Sequence, residues 1–214
     1  SRMTGSGAAA TLKAETNDHH RRAESSPFQR ALVAGKLPVD RYVGWLEQMR
    51  VLYRVLEAEL TLAAVGDRYA ALLGTRWRRT PELLADLAHF GRPAEPAPMP
   101  ATDAFVGQLA RWGGEKSAAL IGVLYVLEGS TNGSRYIARS LRKAYALDLA
   151  GLGYLDPYGD AQTEEWARFK AALDAAIPAD DLPAVVAGAI ATFEAVTAIG
   201  AELGADAIDA GAAR

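Results

Sequence analysis

YVLEGSTNGSRYIARSL, residues 125–141, carries two opposed signals. Glu128, Arg135, Ala138, Arg139 and Leu141 favour a helix, yet the run from Gly129 to Ser134 consists entirely of poor helix formers. An interior glycine costs about 1 kcal/mol relative to alanine. Gly129 and Gly133 are four apart and therefore share a face, where they strip side chains from a patch about one turn long. Such a patch lets backbone approach a flat partner closely. It also suits the close packing of a neighbouring helix, a kink, or a break between two helices. Two glycines alone fit packing well. An unbroken run of poor formers between strong ones points instead to a site, because local conflict with the fold tends to mark function.

Around this stretch the apolar periodicity is helical almost everywhere. It predicts helices over about Leu12–Ser25, Phe28–Val33, Pro38–Leu60, Arg68–Leu73, Thr80–Phe90, Asp103–Arg111, Glu115–Ala146, Gln162–Ala176 and Leu182–Leu203. GRPAEPAPMPAT, residues 91–102, reads as a surface loop, and GLGYLDPYGD, residues 151–160, as a turn punctuated by Gly and Pro. No alternating run of β-branched residues argues for a sheet. The expectation is an all-α, single-domain bundle of about eight helices over residues 11–204. Residues 1–10 read as a flexible N-terminus with a cloning remnant ahead of Met3, and residues 205–214 as a frayed tail.

The chain has 214 residues and a formal net charge of −3, against the basic surface expected of a nucleic-acid binder. It has no cysteine, which excludes disulfides, thiolate catalysis and iron–sulfur clusters and is compatible with a reducing cytoplasm. No apolar run is read as approaching the roughly 20 residues that span a bilayer. A cytoplasmic protein without membrane or nucleic-acid partners is expected.

The segment LKAETNDHHRRAES, residues 12–25, holds His19 and His20, two of the three histidines. Adjacent helical residues point about 100° apart, so at most one of them faces a given partner. Lys13 lies on the side of His20, about 10 Å along the axis. A haem has matching dimensions, with iron at its centre and anionic propionates at one edge. Solvated histidines and lysine are the plainer reading, and the apolar positions Leu12 and Ala23 lean toward His19 rather than His20.

LKAETNDHHRRAESSPF, VLYRVLEAEL and YVLEGSTNGSRYIARSL together resemble the haem oxygenases, over about Leu12–Leu203. YVLEGS, YLDPYG and the following Trp166 are most similar to the branch found beside bacterial phytochromes, which supplies biliverdin as chromophore. The resemblance implies His20 as axial ligand of the haem iron and Lys13 as a propionate partner. It places Ala23 and Glu24 on the proximal side, Phe193 in the pocket, and Tyr53 in a distal hydrogen-bond network. Gly129 and Gly133 are the glycines whose backbone covers the distal face. Arg168 and Lys170 are candidates for the second propionate. Where mammalian-type enzymes carry an organising aspartate this chain has Ser130, as several bacterial relatives do. Asn132, Ser134 and Tyr136 also depart from the usual pattern.

The implied reaction opens haem b to biliverdin, CO and iron with O2 and external electrons. A bent helix at Gly129–Gly133 would steer the oxygen, and water organised by Tyr53, Ser130 and Asn132 would supply protons. A ferredoxin or flavoprotein reductase would give the electrons, docking on Arg21, Arg22, Arg76, Arg78 or Arg79, and a bacterial phytochrome would accept the product. The alternative is a non-catalytic haem or bilin carrier whose distal side has drifted. Thiaminase-like relatives need a cysteine, and dimetal oxidases need a carboxylate–histidine set that these helices lack.

Overall fold

A computed structural model describes residues 7–62, 68–74 and 76–204. Residues 1–6 and 205–214, which hold the expected cloning remnant and frayed tail, lie outside the described residues. Eight α-helices are present among those described: α1 Ala8–Glu24, α2 Pro27–Val33, α3 Val39–Leu62, α4 Thr80–His89, α5 Pro100–Gly114, α6 Ala119–Ala144, α7 Gln162–Ala176 and α8 Leu182–Glu202. Two 3₁₀ turns, Ala70–Leu72 and Gly159–Ala161, complete the set. The helix expected over Arg68–Leu73 is reduced to the first of these turns. α1 begins at Ala8, inside the segment expected to be flexible.

Helix ends are held by side chains from distant elements. Asp174 of α7 accepts from the Ala9 amide at 2.9 Å, which ties the open start of α1 to the bundle. Glu57 of α3 accepts from the amides of Arg79 and Thr80 at the start of α4, at 2.7 and 3.1 Å. Glu202 does the same for Ala101 in α5. Lone carboxylates on exposed N–H groups also complement the helix dipole.

α8 is the hub: it packs most extensively on α6 and also on α1, α2 and α5. It is long and apolar enough to cross a membrane by length and composition, which corrects the expectation that no such run exists. Neighbours line it on several sides, and a third of its apolar window is buried. Gly188 of α8 and Gly122 of α6 mark the closest crossing. A Cβ on either would fall 1.9 Å from a carbonyl oxygen of the other helix. The close helix packing that glycines allow is therefore realised at Gly122, not at Gly129 or Gly133.

Candidate functional site

α1 and α6 each pack on α8, and a largely apolar cavity of about 1490 Å³ lies between them. On α1, Lys13, Asn17, His20 and Glu24 recur at helical spacing, form one stripe and line the cavity, and Ala23 lines it beside them. Leu12 and Thr16 form the adjacent stripe and are buried, Thr16 also reaching the cavity wall. His19 goes with them, its Nε2 4.0 Å from Glu194 Oε1 and its Nδ1 buried without a partner. Of the two histidines, it is His20 that faces the cavity. Its Nε2 lies 3.0 Å from Glu24 Oε1, and its ring stacks on Phe193 with centroids 5.4 Å apart.

The facing wall is α6, which runs unbroken from Ala119 to Ala144 through the stretch of poor helix formers. The break or interruption that the sequence suggests does not occur. The polar residues bond within the helix or across to the next loop. Ser130 Oγ donates to the Leu127 carbonyl at 2.6 Å, and Asn132 Nδ2 donates to that of Gly129 at 3.0 Å. Thr131 Oγ1 donates to the Glu128 carbonyl, and Ser134 Oγ to that of Leu155. A Cβ at Gly129 would sit 3.1 Å from the Trp166 indole, whereas one at Gly133 would meet nothing within 4 Å. Gly133 therefore presents bare backbone to open space.

Behind this wall lies a buried polar network. Arg79 is fully buried and pairs with Glu128 at 2.9 Å, and Tyr158 donates to the other Glu128 oxygen at 2.6 Å. The Arg79 guanidinium also lies 4.6 Å from the centre of the Tyr158 ring, a cation–π contact. Burial pushes the Glu128 carboxyl above its usual range, against the pull of Arg79. Tyr53, which lines the cavity and is buried, has its ring edge-on to Tyr154 at 5.9 Å. Burial raises both phenols, Tyr154 to about 12. Asp86 holds the loop that carries Tyr154 and Tyr158, accepting from the amides of Gly153 and Tyr154 at 3.0 and 2.8 Å.

Lys13 and Lys170 line the cavity, Lys170 with its Nζ 5.7 Å from the centre of the Trp166 ring. Arg168 is placed elsewhere. Its guanidinium bonds Glu165 and the carbonyls of Ala71 and Leu72. Arg79 cannot be a docking charge, since its side chain is wholly buried. Arg21, Arg22, Arg76 and Arg78 remain exposed.

The family model for heme oxygenase matches residues 6–201. This chain belongs to the haem oxygenase family. It is 36% identical over 180 residues to a curated heme oxygenase of Xanthomonas campestris pv. campestris, covering 78% of this chain and 92% of that one. The fold agrees with heme oxygenase-2 from Synechocystis sp. PCC 6803, solved with heme and NO, at a TM-score of 0.87 and 20% identity over 96% of this chain and 88% of that one. It agrees also with the heme oxygenase of Leptospira interrogans, at a TM-score of 0.81 and 23% identity over 92% of this chain and all of that one.

The residues present fit a haem. An imidazole and a bare strip of helix backbone line one apolar cavity, with a lysine at its edge. Among the described residues no group of three His, Asp or Glu side chains could hold a metal ion, so the dimetal reading has no ligand set. The buried polar residues beside the cavity, Glu128, Arg79, Tyr158, Tyr154 and Gln162, escape the sequence reading as a network. For Glu128 a signal was available, since an acidic residue beside Gly129 in an apolar helix run is an anomaly. Arg79, by contrast, looks like any of its basic neighbours.

Proposed function

We propose that this haem oxygenase opens haem b to biliverdin, CO and iron, using O2 and electrons supplied from outside. The observation that carries the reading is the cavity itself, where His20 on α1 and Gly133 on α6 belong to one lining. When bound, haem supplies both the ring that is opened and the iron that activates oxygen, so the protein's part is position and polarity.

His20 is the axial ligand in this proposal. With one ring nitrogen engaged by Glu24, the other would be left to hold the iron. Phe193 stacks on the ring and limits its rotation. Lys13 and Lys170 attract propionates to one edge of the cavity, while Arg168, held by its own carbonyl contacts, is left out of that role. Gly133 lets the backbone of α6 cover the far face without a side chain between, and Gly129, one turn earlier, leaves room for the Trp166 indole. Tyr53, Ser130 and Asn132 keep that face polar yet free of any carboxylic acid, so that proton supply is gentle.

The catalytic domain is taken as residues 11–204, in a cytoplasmic protein. The reductant is a ferredoxin or flavoprotein reductase approaching the exposed Arg21, Arg22, Arg76 and Arg78 through complementary acidic charge. A bacterial phytochrome is the proposed acceptor of biliverdin. Turnover is the test. One equivalent of hemin with ascorbate in air should give loss of the Soret band and growth of a broad red bilin band. A stable Soret band would show a haem carrier instead.

A further inference from the structure

On α6 the polar side chains that line the cavity differ in what they can still donate. Ser130, Thr131 and Ser134 each have a single hydroxyl hydrogen, and each directs it at a backbone carbonyl, which can only accept. Asn132 has two amide hydrogens. One goes to the Gly129 carbonyl at 3.0 Å, and the second has no acceptor within the described residues. Among the Ser, Thr and Asn side chains of this run, Asn132 is thus the one with a donor hydrogen left for a molecule in the cavity, which the Tyr125 and Tyr136 hydroxyls of α6 also line.

Its orientation is fixed from outside α6. Gln162, the first residue of α7, is buried, and its Nε2 donates to Thr131 Oγ1 at 2.8 Å and to Asn132 Oδ1 at 3.1 Å. The directions are unambiguous. The Thr131 hydroxyl hydrogen is already on the Glu128 carbonyl, so its oxygen accepts. The Asn132 nitrogen is on a carbonyl, so its Oδ1 accepts as well. Both Gln162 hydrogens are used, and Gln162 Oε1 is left buried with no partner. Burying an unpaired acceptor costs stability. A residue kept at that cost is better explained by what it holds than by what it stabilises. Donation into Asn132 Oδ1 also polarises the carboxamide and strengthens its remaining N–H as a donor.

We propose that Gln162 is a positioning residue that clamps the Asn132 carboxamide, so that its free N–H serves as a fixed neutral donor on the distal side of the cavity. The proposal rests on the haem reading above. It assigns to Gln162, Thr131 and Asn132 acting together the distal polarity that an acidic residue would otherwise supply, and Gln162 itself touches no substrate.

The test compares Gln162→Met with Asn132→Leu. In the haem-free protein, the Asn132 side-chain amide resonances, assigned by their absence in Asn132→Leu, should show one slowly exchanging hydrogen, and that protection should be lost in Gln162→Met. In the haem-loaded protein with carbon monoxide, the C–O stretch should shift in the same direction in both variants. Turnover should fall about 10-fold in Gln162→Met with haem affinity retained, and the double variant should be no worse than Asn132→Leu alone. If Gln162→Met does not fold, Thr131→Val, which removes the other acceptor of the clamp, should give the same shifts more weakly. Unchanged Asn132 protection and an unchanged C–O stretch in a folded Gln162 or Thr131 variant would overturn the proposal. Failure of the wild-type protein to bind or degrade haem would instead remove the haem reading, and the haem-free amide measurement would still decide the clamp.

Discussion

Replacing Gly133 by alanine should strengthen the fold and weaken the site at once. The position is exposed, and an added Cβ would meet nothing within 4 Å, so the methyl group meets no steric opposition from the protein. Alanine in a helix interior is favoured over glycine by about 1 kcal/mol. For a chain of this length that corresponds to a rise in melting temperature of roughly 2–4 °C. The same methyl would stand between the backbone of α6 and any ring lying against it. Overpacking a close contact costs about 1–3 kcal/mol, which is roughly a 5- to 150-fold rise in Kd. Thermal unfolding of the haem-free protein and a hemin titration followed at the Soret band give the two numbers. Gly129→Ala is the control, because its Cβ would press on Trp166 at 3.1 Å and should yield little or no stability gain. A stabilised Gly133→Ala that binds and degrades haem normally would refute the idea that this glycine exists for close approach.

Two further outcomes follow from the network behind α6. Glu128→Gln should lower stability by on the order of 3–5 kcal/mol, because it leaves the fully buried Arg79 charge unpaired. Chemical denaturation measures this, and a second change of Arg79→Met should recover a substantial part of the loss. The tyrosines give a pH dependence of definite sign. Tyr154 is pushed up to about 12 by burial, whereas an unfolded tyrosine titrates near 10. The folded state therefore holds its proton where the unfolded state does not, so stability is full below about pH 10 and falls as the pH rises toward 12. Denaturation midpoints between pH 9 and about 11.5, read beside tyrosinate absorbance, check it, and a flat profile would contradict the buried phenols.

Much of the architecture is visible in the sequence because the helices are long and their apolar periodicity is strong. Gln162–Ala176 has the bounds that periodicity predicts. The failures have physical causes. Arg68–Leu73 is six residues long and apolar at every position but the first, so it can show no period, and it forms only a 3₁₀ turn. Leu182–Glu202 reads as an ordinary helix, and its contacts with several neighbours had no signal in the sequence. At the site, periodicity could not choose between the histidines because it reports burial. On α1 Leu12 and Thr16 are buried and His19 is half-buried beside them, while the stripe of Lys13, Asn17, His20 and Glu24 is polar and faces the cavity. The resemblance, not the spacing, selected His20. The poor helix formers of α6 pointed to the right place, but the expected interruption is absent. Each hydroxyl or amide finds a carbonyl, so the helix tolerates them without breaking. The clamp from Gln162 joins elements far apart in sequence and had no local signal.

The most direct measurement of the central claim is the hemin spectrum of three proteins: wild type, His20→Ala and His19→Ala. The account predicts an imidazole-type Soret band for wild type and His19→Ala, and its loss in His20→Ala. Retention of that band in His20→Ala with loss in His19→Ala would contradict the assignment of the cavity-facing stripe of α1 as the wall that holds the iron.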